Sequence, residues 1–386
     1  MATVSDRMRR QRLVAALRAN GTLHSATVIT AFTAVPRSQF VPEGTSAQDA
    51  YADHALILTT DPRGRPTSTI SQPSMVALML EQLGARPGHR VLEIGTASGY
   101  TAALVARMVR PGGRVVTVEL DATLARAAAD RLAGHWPEAV VRSGDGWPGA
   151  ADEAPFDRVH VTVGVDDLSP HWLDQLADGG VLVVPITLRP AVELSVAFER
   201  RGAELISRSV RPCGFVRLRG PHATSSGTVV LDGVGTVLAD WADREQEQQL
   251  RSLLATVPVD GGPIDPLPHG WAIRLALDQT HPLAVLRASP QLAVLPGLFD
   301  PQEGGVALVD ADRMVGYGHG GALQLLRAQL GCAEPLLPLS LRVTARPAGA
   351  EPPSGRWAVH KQRFHYAVDI AADVTDAATG DTGDAG

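Results

Sequence analysis

Three acidic residues, each closing an apolar run, carry the clearest chemical signal in this chain of 386 residues. The first is Glu93 in Val91-Leu92-Glu93-Ile94, a run that meets a turn of small residues, Gly95-Thr96-Ala97-Ser98-Gly99, before a helical pattern from Tyr100 to Met108. A strand, small turn and helix in this order bind ligands. Small residues let a ligand approach the backbone, and the helix start offers unpaired N–H groups and a partial positive charge. The second acid, Glu119, ends the run from Arg114 to Leu120, roughly 20 residues past the turn, where a carboxylate reaches ribose hydroxyls. The third, Asp145 in Gly144-Asp145-Gly146, follows the run Ala139 to Ser143 and can accept from an adenine amino group. Three acids at successive strand ends define one cleft. The glycines Gly95 and Gly99 do not keep the Gly-x-Gly-x-x-Gly spacing of a dinucleotide site.

The elements that must position these residues alternate between strand and helix, which predicts an α/β, doubly wound parallel sheet. Phe156 to Val163 reads as a strand, Pro170 to Ala177 as a helix, Gly180 to Pro185 as the next strand, and Val192 to Glu199 with Leu205 to Leu218 as an antiparallel closing pair. Ahead of them stands a helical preface. Ser5 to Ala19 and Ser25 to Val35 place Leu13, Val14, Leu17 and Val28, Ile29, Phe32 at helical spacing, broken by Asn20-Gly21 and ended by Pro36. Ala50-Tyr51-Ala52-Asp53, a polar loop from Thr59 to Thr67, and Thr69-Ile70-Ser71-Gln72-Pro73 follow. Binding a nucleoside needs no such preface, so it is expected to build the substrate side of the cleft. Ser71, just before Pro73, also suits the cap of a helix running to Leu83.

Composition narrows the partners. The net charge of −6 argues against a nucleic acid partner, since phosphate binding wants clustered positive charge. No run of about 18 apolar residues spans a bilayer, and the arginine-rich start lacks a secretory apolar core, so a cytoplasmic protein is expected, with no membrane partner. Cys213 and Cys332 form no framework and are expected reduced and partly buried. The histidines keep no ligand spacing; His360 and His365, five apart on an expected strand, would face opposite sides. No metal is expected. Only Lys361 among 35 basic residues is lysine, which reads as codon bias.

The Glu93-x-Gly95 turn resembles the first motif of class I S-adenosylmethionine methyltransferases. Taken with Arg37 to Pro42, Ala50 to Asp53, Thr69 to Pro73, Val91 to Tyr100, Gly144 to Gly146, Pro155 to Asp157 and Gln175 to Gly180, the order is similar to that of protein-L-isoaspartate (D-aspartate) O-methyltransferases. Seven motifs in order, over about residues 5 to 220, are far more specific than one. The resemblance implies a Rossmann-like methyltransferase domain at 1–220 and S-adenosylmethionine as cofactor. It implies cofactor contacts from Thr69, Ile70, Ser71, Glu93, Gly95, Thr96, Ala97, Ser98, Gly99, Tyr100, Glu119, Leu120, Asp145 and Gly146. Ser71 stands at the family's active-site position, and Tyr51, Asp53, Val163 and Gly164 on its substrate side.

The chemistry agrees with what is missing. A carboxylate with a solution pKa of about 4 is ionised at neutral pH and needs no general base, so the lack of a His/Asp or Ser/His pair is consistent with methyl transfer to one. Two departures stand out. Ala97 occupies a usual glycine position, so the turn there must avoid positive φ or accept a cost of roughly 1 kcal/mol or more. Thr162-Val163-Gly164-Val165-Asp166-Asp167 replaces a small, uncharged family segment beside the substrate carboxylate, and its acids read either as a substrate-selecting change or as a solvated turn.

After a linker at 220–227 the chain continues, and a smaller α+β accessory domain is expected at 228–370. Strands are expected at Thr228 to Leu231, Ala272 to Leu277 and Gly305 to Val309, a helix at Trp241 to Leu254, a Gly-rich turn and helix at Gly316 to Leu330, and strands at Leu341 to Ala345 and Trp357 to Ile370. Gly316-Tyr317-Gly318-His319-Gly320-Gly321 lacks the Lys-Ser/Thr of a P-loop and reads better as a helix-capping turn than as an anion cradle. The tail 371–386 is expected to be disordered. The extension and the altered loop favour one L-aspartate of a ribosomally made, modified peptide as substrate, its methyl ester closing to a succinimide (aspartimide). Repair of isoaspartyl protein is the first alternative, and an inactive cofactor-binding scaffold the second.

Overall fold

The computed structural model describes residues 5–62, 64–190, 192–223, 228–231, 235–239, 244–264, 270–278, 281–287, 293–331 and 336–371. Helices α1 (Asp6–Ala19) and α2 (Ala26–Ala34) open the chain, each capped by a serine, Ser5 and Ser25, whose hydroxyls accept the N–H groups of Met8 and Val28. An antiparallel hairpin, β1 (Leu56–Thr60) and β2 (Pro66–Ile70), leads into α3 (Pro73–Leu83). Alternating units follow: β3 (Arg90–Ile94), α4 (Tyr100–Val109), β4 (Arg114–Glu119), α5 (Ala122–Ala133), β5 (Ala139–Ser143), β6 (Phe156–Val161) and α6 (Pro170–Gln175). A long β7 (Leu176–Arg189) then turns back through β8 (Val192–Arg201) and β9 (Glu204–Pro212).

These strands lie in the order β5-β4-β3-β6-β7-β8-β9, parallel as far as β7 and antiparallel after it. The chain runs outward one way from β3 and the other way from β6. The crossovers diverge there, and a crevice opens at the carboxyl ends of the two neighbours. The strands are Val/Leu/Ile-rich because helices cover both faces. The preface packs on α4, with Phe32 and Phe40 ring centroids 6.4 and 5.6 Å from that of Tyr100.

The later strands and helices are β10 (Thr228–Leu231), β11 (Gly235–Leu238), α7 (Arg244–Leu254), β12 (Val259–Pro263), α8 (Trp271–Asp278), β13 (Pro282–Arg287), β14 (Ala293–Asp300), β15 (Gly305–Asp310), β16 (Arg313–Gly318) and α9 (Gly321–Gly331). Strands β10 to β16 form a separate seven-stranded antiparallel sheet. Two expectations fail here. The apolar run from Ala272 to Leu277 is helix α8, not a strand, because a short apolar run has no period that separates the two and its Ala and Leu residues favour helix. Gly316 and Gly318 are strand residues whose missing side chains admit α9 and the turn before β15: an added Cβ would stand 2.4 Å from Leu323 Cδ1 and from Gly304 O respectively.

Residues 341–370 were expected with the accessory domain but complete the first sheet instead. Strand β17 (Leu341–Pro347) pairs with β9 at Thr344–Ile206 and Ala345–Leu205, and β19 (Phe364–Ile370) and β18 (Trp357–His360) follow it, giving ten strands. They cover what would otherwise be an open edge. Val343, Phe364 and Tyr366 share one core with Phe198 and Leu205. The expected single strand from Trp357 is a hairpin, so His360 and His365 are cross-strand partners with ring centroids 4.8 Å apart, not residues on opposite faces. Cys213 is a half-buried free thiol; Cys332, part of the linker and all but the first residue of the expected disordered tail lie outside the described residues.

Candidate active site

The crevice is a cleft of about 740 Å³, its solvent-open mouth included. The turn after β3 forms one wall. At Gly95, φ is 101° and an added Cβ would stand 2.6 Å from Thr162 Oγ1, so only glycine fits. Ala97 takes the left-handed conformation at φ 50°, accepting the cost its side chain imposes. In return its N–H points at Glu119, whose Oε2 accepts it at 2.8 Å, while Oε1 accepts the Asp121 N–H at 3.0 Å. Gly99 caps α4 without a side-chain bond, which leaves the first-turn N–H groups for a ligand. Thr96, Ala97, Ser98 and Tyr100 line the cleft, as do Glu119, Leu120 and Gly146.

Strand β2 and Ser71 form the facing wall. Thr69, Ile70 and Ser71 line it, and so do Thr67 and Ser68. Ser71 does not cap α3. Asp53 does, its Oδ1 accepting the Ser74 N–H at 2.8 Å and its Oδ2 the Gln72 side-chain amide at 3.2 Å. Behind Ser71 lies Arg37, fully buried, donating to the carbonyls of Ser71 and Ala50 at 3.0 Å each with its guanidinium carbon 5.8 Å from the Tyr100 ring centroid. Burial lowers its pKa, yet the guanidinium joins the wall to the turn at 50–54. Tyr51 is buried with its hydroxyl 3.3 Å from Ser38 Oγ; neither Tyr51 nor Asp53 lines the cleft.

Glu93 also lies away from the cleft surface. It is fully buried, and its Oε2 accepts the Thr117 hydroxyl at 2.6 Å, which is itself 2.6 Å from the Thr96 hydroxyl. Burial pushes Glu93 up to about 8 and pushes His160, its neighbour on β6, down to about 4. Both are mostly uncharged at neutral pH. Glu93 therefore supports the turn from below through two threonines. Asp145 is likewise engaged by the chain, accepting the Trp147 N–H at 2.9 Å and meeting His222 Nδ1 at 2.9 Å, with the imidazole stacked on Trp147.

Val163 lines the cleft, whereas Gly164 lines a side pocket with Trp147, Asp166 and Arg217. Asp166 and Asp167 are not a solvated turn. Both are buried; Asp166 holds the Arg217 guanidinium and Asp167 accepts the Tyr366 hydroxyl at 2.7 Å. The segment beyond β9 returns as a strap. Its Val216 carbonyl accepts the Gly164 N–H at 2.9 Å, the Leu218 N–H returns the bond at 2.8 Å, and residues 216–219 line the cleft. From the sequence Arg37 and Thr162 stood only within motifs, with no role of their own in the site, and residues 213–218 were expected as the end of a strand, which stops instead at Pro212. For Arg37 the motif from Arg37 to Pro42 was the signal available.

Residues 8–223 match the family model of protein-L-isoaspartate(D-aspartate) O-methyltransferase (PCMT). The chain belongs to this family. It is 43% identical over 216 residues to the protein-L-isoaspartate O-methyltransferase of Methanopyrus kandleri, covering 55% of this chain and 92% of that one. To the enzyme of the same name from Parvibaculum lavamentivorans it is 37% identical over 209 residues, covering 53% and 89%. A solved protein-L-isoaspartate O-methyltransferase superposes with a TM-score of 0.53 at 25% identity, covering 87% of this chain and 96% of its own.

As a PCMT family member the chain is an S-adenosylmethionine-dependent carboxyl O-methyltransferase. The cleft suits that cofactor. Glu119 lines it with a carboxylate that would accept from ribose hydroxyls, Gly146 has no room for a side chain with Ile94 Cγ2 2.5 Å from an added Cβ, and the uncapped start of α4 suits a carboxylate. The cofactor supplies a methyl group activated by its sulfonium charge. What the walls would supply is alignment of the acceptor, which is worth roughly 7–11 kcal/mol of a barrier.

Proposed function

We propose that this methyltransferase esterifies the free carboxylate of an isoaspartyl residue in a peptide or protein. A carboxylate oxygen attacks the methyl carbon in line with the breaking C–S bond, and the ester then loses methanol as the next backbone nitrogen closes a succinimide. The observation that carries the reading is that Ser71 and the turn 95–98 face one another across a single cleft. Ser71, with no described residue bonding its hydroxyl, orients the attacking carboxylate. Val163 borders it. The names of the relatives support isoaspartate as the acceptor more than the L-aspartate favoured from sequence. The C-terminal extension does not separate the two, because a solved isoaspartate methyltransferase aligns over 87% of this chain, well past residue 223.

A second reading, one L-aspartate in a constrained peptide, keeps support from the residues at 163–167, which depart from the family pattern. Mass spectrometry with S-adenosylmethionine decides between them on peptide pairs differing only in Asp or isoAsp. A methyl gain confined to isoAsp peptides is expected. A gain only on L-Asp peptides would turn the assignment to the second reading.

A further inference from the structure

The segment 163–168 is held from two sides, and neither partner is near it in sequence. On one side the strap pairs with Gly164, and Arg217 reaches Asp166. On the other, the turn and first residues of the last hairpin close on Asp167. The Tyr366 hydroxyl donates to its Oδ1 and the Arg363 backbone N–H to its Oδ2, both at 2.7 Å. The Leu168 N–H lies 2.9 Å from Asp167 Oδ1 and 3.3 Å from the Tyr366 oxygen. The same turn sends Lys361 Nζ to the Thr187 carbonyl at 2.7 Å, and the Thr187 hydroxyl accepts from Arg217 at 2.5 Å. The Arg363 guanidinium carbon stands 5.0 Å from the centroid of Trp147, the ring that follows the Gly144-Asp145-Gly146 turn.

We propose that the tip of the C-terminal hairpin, residues 361–366, is a positioning element of the methyltransfer site, with Tyr366 and Asp167 fixing the loop that carries Val163 and Gly164. The inference rests on reading that loop as the substrate side. A buried carboxylate with a hydroxyl and two amide donors has one geometry, and removing a donor leaves charge unsatisfied. Displacing an aligning group by about 1 Å can cost about 100-fold in rate. The loop is therefore set by residues nearly 200 positions further on. Asp167 is a support for the acceptor's wall and not a competitor for the acceptor.

The full-length protein and its Tyr366→Phe and Asp167→Asn variants test this by peptide kinetics, S-adenosylmethionine calorimetry and amide exchange of residues 163–168. Tyr366→Phe is expected to speed exchange at Leu168 and to lower kcat/KM for the peptide by about tenfold, the factor for one bond to a charged group, with cofactor affinity unchanged. Asp167→Asn, which keeps shape and loses charge, is expected to move the same two readouts in the same direction. Faster exchange with unaltered peptide kinetics would overturn the proposal, as would unaltered exchange in both variants. Should the wild type methylate no Asp or isoAsp peptide, the substrate reading falls separately, and exchange at 163–168 alone decides whether the hairpin sets the loop.

Discussion

On the proposed reading, Ser71 is the residue on which turnover should depend most directly. Its hydroxyl lines the cleft and caps nothing, so Ser71→Ala is expected to lower kcat by roughly 10-fold or more, the value of one hydrogen bond to a charged group, while calorimetry shows S-adenosylmethionine binding unchanged. Unchanged turnover would remove Ser71 from the mechanism. Glu93 governs stability instead. Its folded pKa, raised from 4.5 to about 8, means the folded chain keeps a proton that the unfolded chain releases. Its contribution is whole below about 4.5 and is lost as pH rises through about 8. His160, lowered from 6.5 to about 4, acts oppositely: its contribution is whole above 6.5 and is lost as pH falls towards 4. Glu93→Gln should gain on the wild type in urea midpoint from pH 5 to pH 8.5 and leave the acid limb as it was. Parallel curves would show Glu93 ionised when folded. These acids were legible as a set because they end successive strands. Which of them meet the ligand was not, since Glu93 and Asp145 take partners from Thr117, Trp147 and His222, chosen by strand order and by a returning strap.

At the scale of elements, Ala97 shows a local rule overruled by a contact. Left-handed backbone costs an alanine roughly 1–2 kcal/mol, and glycine's extra freedom when unfolded returns roughly 0.4–1 kcal/mol of any gain. Ala97→Gly is therefore expected to stabilise by up to about 1 kcal/mol in urea denaturation with cofactor affinity kept; a destabilised variant would mean the methyl group packs. Asp53 shows the converse, a residue assigned to substrate that caps a helix. Asp53→Ala should cost about 1 kcal/mol and leave peptide KM unchanged, and a raised KM would return it to the substrate wall. The parallel strands and their helices were legible because their apolar runs and turns have distinct periods. Helix α8 was not, and neither was the final hairpin, whose turn at 361–363 carries no glycine or asparagine.

The whole molecule is not the family domain with an appendage. Residues 8–223 carry the family match, yet β9 is flanked on its far side by β17, and Leu341, Val343, Trp357, Val359, Phe364, Tyr366 and Val368 are buried in the same core as Val184, Phe198 and Leu205. Side chains of this kind contribute roughly 1.5–3 kcal/mol each when buried, and a few of them equal a folding margin of roughly 5–15 kcal/mol. Removing them also bares the backbone of β9, an invitation to strand pairing between chains. Sequence could not reveal this because it lies in a pairing across more than 130 residues, Leu205 with Ala345 and Ile206 with Thr344. A chain ended after residue 340 is accordingly expected to aggregate on size-exclusion chromatography and to give no heat with S-adenosylmethionine. A monodisperse truncated chain that still binds the cofactor would mean that the seven strands β3 to β9 stand alone and that the last three are dispensable to the site's framework.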